Sequence, residues 1–168
     1  PGIPAIISRS PIPALFFHNK LGRYRAISLI CRGVLGTTGT PTLTFQVRFG
    51  TTSGPAFLSG TSVGVSAAIT TANGVTNKWW ELRLDLVCNT PGIGTGNCTL
   101  SGAGYVQSPG GFAAPYTYAL EPTTPDTATW TSTVDGALTQ YCNVSVTWSA
   151  SSASNTIQTK QCFLQGWN

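Results

Sequence analysis

Charge is what this 168-residue chain has least of: Asp, Glu, Lys and Arg together make up 8% of it, against roughly 25% in an average soluble domain. Thr, Ser and Gly fill the outward positions instead, so partners packing on such a surface meet little repulsion. Acids are absent before Glu81, whereas Arg9, Lys20, Arg23, Arg25, Arg32, Arg48 and Lys78 all precede it. A basic amino-terminal half suits an acidic partner surface. Its positive residues are spread thinly, without a run or a recognition motif, which argues against nucleic acid as the partner. Methionine is missing altogether. A start at Pro1-Gly2 fits a processed short gene product, and equally a trimmed or mature secreted chain.

Histidine occurs once, at His18. One imidazole cannot build a histidine metal cluster, and no cofactor is expected. Between Phe17 and Asn19 a structural role for it is the simpler expectation. No apolar run approaches the roughly 20 residues a membrane-spanning helix needs, so no membrane partner is expected. The five cysteines, Cys31, Cys88, Cys98, Cys142 and Cys162, form no C-x-x-C pair, and their odd number leaves at least one unpaired. Cys88 and Cys98 flank a turn-rich segment and fall near opposite positions of a hairpin. A disulfide between them and a pair of neighbouring thiols are both open, with thiols favoured in a reducing cytosol.

Against these absences stands a strong alternation. In Tyr141-Cys-Asn-Val-Ser-Val-Thr-Trp148, Cys142, Val144, Val146 and Trp148 share one face. The rhythm recurs at Leu43/Phe45/Val47/Phe49 and at Trp80/Leu82/Leu84/Leu86. A period of two is the mark of strands with one buried face, and no segment carries helical spacing. Strands are expected near 23–35, 42–49, 56–69, 78–88, 98–107, 113–120, 127–134, 141–149 and 155–165. Gly, Pro and Asn clusters between them reverse the chain by supplying positive or fixed φ. The pattern predicts an all-β fold, a jelly-roll-like antiparallel β-sandwich of about eight or nine strands.

Residues 1–22 differ from the rest. Pro1, Pro4, Pro11 and Pro13 punctuate apolar pieces and disfavour helix and central strand alike. The expectation is an extended, proline-rich arm at 1–22 preceding a sandwich domain at 23–168. Ile3, Ile6, Ile7, Phe16 and Phe17 make that arm too apolar to be solvated, so it lies on a neighbour or on its own domain. With Arg9, Arg23 and Arg25 they form the expected docking surface.

Candidate catalytic motifs dissolve on inspection. Gly60-Thr-Ser-Val-Gly64 matches a nucleophile elbow, but the lone His18 lies upstream of it and no helix follows. Glu81-x-Arg83-x-Asp85 places paired carboxylates on one outward face, where a charge ladder with neighbouring strands is the simpler arrangement. The glycines at 92, 94 and 96 lead into a strand rather than a helix, so they lack an anion-binding dipole. An enzyme is not expected. Among the tryptophans, Trp80 and Trp148 keep step with apolar stripes, whereas Trp79 and Trp167 are candidates for stacking on a glycan or for an interface.

Residues 26–49, with the core Arg32-Gly-Val-Leu-Gly-Thr-Thr-Gly-Thr-Pro-Thr-Leu-Thr-Phe-Gln-Val-Arg-Phe-Gly50, resemble the opening hairpin of small virion structural proteins of tailed bacteriophages. Residues 143–157, Asn-Val-Ser-Val-Thr-Trp-Ser-Ala-Ser-Ser-Ala-Ser-Asn-Thr-Ile, resemble their closing hairpin. The resemblance spans roughly residues 23–165 and leaves 1–22 unmatched. It implies a jelly roll, often a homotrimer, that decorates capsids or forms fibres. The expected function is a capsid decoration or cement protein, made in a bacterial cytoplasm and carried on the virion. Its partners would be the major capsid protein or other virion proteins. The alternative is a fibre or spike head that recognises host surface glycans. The resemblance supplies no catalytic residue.

Overall fold

The computed structural model describes residues 5–14, 16–17, 25–51, 60–90, 97–121 and 131–167. Among them there is no helix, and therefore none long and apolar enough to cross a membrane. The strands are β1 (Ala5–Ile12), β2 (Ala26–Gly36), β3 (Thr42–Gly50), β4 (Thr61–Ser66), β5 (Ile69–Thr70), β6 (Lys78–Thr90), β7 (Asn97–Gln107), β8 (Thr117–Glu121), β9 (Thr131–Asp135), β10 (Gln140–Trp148) and β11 (Thr156–Trp167). The all-β expectation holds. The count rises to eleven because β1 falls in the proline-rich segment and the stretch near 56–69 resolves into β4 and β5.

Every pairing is antiparallel, in the order β1-β10-β3-β4-β8-β7-β6-β2-β11, with β5 beside β3 and β9 beside β7. Four pairs are nested in sequence: β2 with β11, β3 with β10, β4 with β8, and β6 with β7. Nesting of this kind is what a long hairpin ribbon leaves when it rolls up, the jelly-roll-like feature of the fold. Extra ladders between β3 and β4 and between β2 and β6 carry it towards a barrel.

The sheet folds over where β4 meets β8 through only two register pairs, Val65 with Glu121 and Ser66 with Leu120. On one side of this corner lies β1-β10-β3-β4, on the other β8-β7-β6-β2-β11. Their inner faces meet. Phe45 of β3 packs on Trp80 of β6 with ring centroids 5.3 Å apart, and Gly64 of β4 seats against the Leu84 side chain. Phe45, Val47, Phe49, Val144 and Val146 come from one half, and Ile27, Leu29, Leu82, Leu84 and Leu86 from the other; all are 2% exposed or less. Each such burial contributes about 1.5–3 kcal/mol of transfer free energy, the main force holding the halves together.

The arm folds onto its own domain instead of reaching away from it. Residues Ala5 to Ile12 form β1, paired along β10 from Val146 to Gln140. Pro11 is tolerated there because β1 is an edge strand among the described residues, where a missing N–H breaks no inner ladder. Beyond it Phe17 is buried against Phe49, ring centroids 6.5 Å apart. Phe16 packs edge-on to Phe17 and lies over Gly166, where a Cβ would strike its ring. The turn after β1 closes the seam towards β2 and β11. A small cavity of about 190 Å³ remains there, lined by Pro11, Ile12, Pro13, Phe16, Ile27, Leu164 and Gly166.

Candidate interaction faces

The outer surface of β11-β2-β6-β7 is a side-chain array four strands wide, and period-two alternation builds it. With Leu82, Leu84 and Leu86 turned inward, Trp79, Glu81, Arg83, Asp85 and Val87 face out. Register then sets the rows. Gln161, Arg32, Glu81 and Gln107 form one; Phe163, Ile30, Arg83 and Tyr105 the next; Gln165, Ser28, Asp85 and Ala103 the third; Trp167, Ala26, Val87 and Ser101 the last.

The charges in these rows satisfy one another. Arg32 Nε meets Glu81 Oε2 at 2.6 Å, while the Tyr105 hydroxyl donates to Glu81 Oε1 at 2.9 Å and Gln107 Nε2 at 3.5 Å. Burial pushes the Glu81 carboxyl up, but the bonds from Arg32 and Tyr105, the Arg32 charge and the Gln107 amide outweigh it, leaving Glu81 below its ordinary value. The bond to Glu81, then burial and the Glu81 charge, raise the Tyr105 phenol in turn. Arg83 Nε pairs with Asp85 Oδ2 at 2.9 Å. Asp85 Oδ1 also accepts from Ser28 Oγ, which itself accepts from Trp167 Nε1 at 3.1 Å. Both carboxylates of the ladder are thus engaged in bonds along the sheet.

Apolar surface brackets this ionic strip. Trp79, Val87, Phe163 and Trp167 are 41–51% exposed. Trp79 and Trp167 share the face without sharing a site: they stand opposite Val34 and Ala26, eight residues apart on β2, about 26 Å along a strand. Trp80 is in the core and Trp148 packs against it; Trp130 lies outside the described residues.

The docking residues expected in the arm separate into several environments. Phe17 is in the core, and Phe16 and Ile7 pack against it. Arg25 donates to the Phe16 carbonyl at 3.0 Å and its guanidinium sits 5.4 Å from the Phe16 ring centroid. These residues hold the chain's own turn, which corrects the expectation that they form an open docking surface. Ile6 pairs through its backbone with Ser145. Arg9 Nε donates to Asn143 Oδ1 at 3.2 Å. Ile3, Arg23 and His18 lie outside the described residues.

Of the two readings left open for Cys88 and Cys98, the structure has the thiols, and the disulfide lies elsewhere. Cys31 and Cys162 are bonded across β2 and β11, while Cys88, Cys98 and Cys142 are free and buried. Cys88 and Cys98 are neighbouring thiols, bonded to each other by a weak hydrogen bond, with Cys88 Sγ also donating to the Phe17 carbonyl at 3.9 Å. Burial raises both, Cys98 to about 12. The pair that is oxidised lies 131 residues apart in sequence, so no local spacing signalled it. No group of three or more His, Cys, Asp or Glu side chains forms a metal-binding cluster among the described residues.

Sequence reading passed over Phe163, Ser28 and the network that fixes Trp167. One signal was present: Phe163, Gln165 and Trp167 alternate with Cys162 and Leu164. Compared with protein-family models, curated proteins and solved structures, the chain finds no match in any of the three.

Proposed function

We propose that this chain is a virion structural protein of the decoration or cement type, acting by adhesion to an assembled shell and not by chemical conversion. The observation that carries the reading is the outer face of β11-β2-β6-β7, where ion pairs close on themselves and exposed rings remain for contact. Such a face combines large anchors with charges that need no partner across an interface. The low charge content and the resemblance of the two hairpins to phage virion proteins also support it. A ligand that binds only the assembled shell shifts assembly towards the intact particle by mass action. A homotrimer and capsid-protein partners belong to the same proposal.

With Phe17 in the domain's own core and Phe16 packed against it, the docking surface moves from the arm to this face. The test is to purify virions from the producing host, locate the chain with antibody to the folded domain, and measure rebinding to stripped particles. Phe163→Ser with Trp167→Ser is expected to lower occupancy at least tenfold while leaving the melting temperature within a few degrees. Particles devoid of the chain, or unchanged occupancy by the double variant, would refute the reading.

A second reading has one observation in its favour. Trp167 Nε1 is tied to Ser28, which is tied to Asp85, so the indole is held in place while half exposed. A fixed aromatic beside a carboxylate and Gln165 suits stacking on a sugar ring. Glycan-array binding abolished by Trp167→Ala would favour this host-recognition role over cementing.

A further inference from the structure

The turn that joins β5 to β6 carries the chain's one Asn-Gly pair, Asn73-Gly74. Both residues are exposed. Gly74 holds a φ of 60°, and a Cβ built on it would meet nothing within 4 Å, so the space around it is open. The Asn73 side chain makes no hydrogen bond among the described residues. The Gly74 N–H reaches the Gly39 carbonyl only at 3.4 Å, longer than an ordinary bond of this kind.

That combination is chemically reactive. The backbone nitrogen of the next residue can attack an asparagine amide at Cγ; a side chain on that residue blocks the approach, and glycine has none. The other asparagines with described side chains are each held back. Asn89 donates to Ser101 Oγ at 2.6 Å, and Asn143 is buried. Asn155 uses both ends of its amide, accepting from Thr38 N and donating to the Ala150 carbonyl. Asn77 is exposed, but Lys78 of β6 follows it. In the corresponding aspartate pair, Asp135-Gly136, the carboxylate is held by Ala137 N at 2.9 Å.

We propose that Asn73 is a site of spontaneous modification, converting to aspartate and isoaspartate in the folded protein. Hydroxide takes the Gly74 amide proton and the nitrogen attacks Asn73 Cγ. The N–Cγ bond forms, and the Cγ–Nδ2 bond breaks with release of ammonia. Water then opens the resulting succinimide. Cleavage of the new N–Cγ bond leaves aspartate, whereas cleavage at the Asn73 carbonyl carbon leaves isoaspartate, whose main chain runs through Cβ and Cγ. No oxidant or reductant takes part. The product sets an acid in the stretch before Glu81, which has none. Isoaspartate also lengthens a turn pinned on both sides: Ala72 N donates to the Gly111 carbonyl at 2.9 Å, and the Val75 carbonyl accepts from Thr37 N at 2.8 Å. This chemistry is independent of what either face of the sheet binds.

The experiment keeps the full chain folded in buffers from neutral to mildly alkaline, then digests it with trypsin and sequences the peptides by mass spectrometry against an unincubated control. Isoaspartyl methyltransferase labelling reports isoaspartate. A gain of one mass unit is expected at Asn73 ahead of Asn77, Asn89, Asn143 and Asn155, at a rate that rises in proportion to hydroxide. Asn73→Gln, whose cyclisation would need a larger ring, is expected to lose both the mass gain and the methyl label at this position, with unchanged far-ultraviolet dichroism. Asn73 left intact in the folded chain while it converts in urea would overturn the proposal. So would earlier conversion of any of the other four, a mass gain without methyl label, or a label that persists undiminished in Asn73→Gln.

Discussion

A methyl group at Gly33 would force two paired strands apart, and the cost follows from the geometry. Gly33 stands in the inner row between Trp80 of β6 and Thr159 of β11. A Cβ built there lies 1.8 Å from the Gln158 carbonyl oxygen and 3.0 Å from Trp80 Nε1. The first neighbour is backbone and cannot rotate away, so β2 and β11 must separate by roughly 1 Å, an overpacking that costs about 1–3 kcal/mol. A ladder hydrogen bond weakened by that shift adds about 1 kcal/mol. Alanine also restricts the unfolded chain, which returns about 0.4–1 kcal/mol. The net expectation for Gly33→Ala is a loss of about 2–3 kcal/mol, or roughly 5–10 °C in melting temperature for a domain of this size. Urea unfolding followed by tryptophan fluorescence and by far-ultraviolet dichroism measures it, with both proteins in the same disulfide state. A variant within about 0.5 kcal/mol of wild type would show that β11 is not held where its register places it, and the argument for the face built on it would fail.

The Cys31–Cys162 bond closes a loop of 131 residues, for which chain entropy gives about 5 kcal/mol, so Cys31→Ser with Cys162→Ser is expected to lose about 2–5 kcal/mol in denaturant melts. Unfolded without reductant, the wild type should expose the three thiols of Cys88, Cys98 and Cys142; titration of all five would contradict the bond. Because burial raises those three thiols, none is expected to react with an aromatic disulfide reagent at pH 8 until the protein unfolds. Glu81 titrates below its ordinary value, so its share of stability is present above the unfolded carboxylate pKa and is lost as pH falls through the lower folded one. Glu81→Gln should flatten the acid limb of the stability–pH curve, and an unchanged slope there would show that the Arg32 and Tyr105 bonds are not formed in solution. Tyr105 is raised, so the native state holds its proton longer than the unfolded chain does, and stability should fall as pH climbs past about 10. Tyr105→Phe removes that fall; its persistence in the variant would assign it elsewhere.

Local chemistry determined much of this protein in advance. Strands recur wherever apolar residues alternate, as in Leu43 to Phe49 and Cys142 to Trp148, because the pleat sends successive side chains to opposite faces whatever the neighbouring strand is. For the same reason Trp80 could be assigned to the core and Trp79 to the surface, and both assignments are met. What alternation cannot encode is which strand lies beside which. The proline-rich start becomes β1 only because β10 offers an edge at which missing donors cost little. Phe17 is buried, and Phe16 packed against it, by a turn whose packing partners, Gly166 and Phe49, are far away in sequence.

The candidate sites show the same division. Glu81, Arg83 and Asp85 were visible as an outward charge ladder, but the partners that engage them, Arg32, Ser28 and Tyr105, arrive from β2 and β7 through register. Cys31 and Cys162 meet for that reason as well, whereas the nearby pair Cys88 and Cys98 stays reduced. The sequence by itself determined that this chain forms strands, which side of each strand is wet, and how little charge the wet sides carry, since these are properties of residues and their immediate neighbours. Only the tertiary structure decided which wet side chains form a surface together, because that depends on contacts between strands separated by many tens of residues.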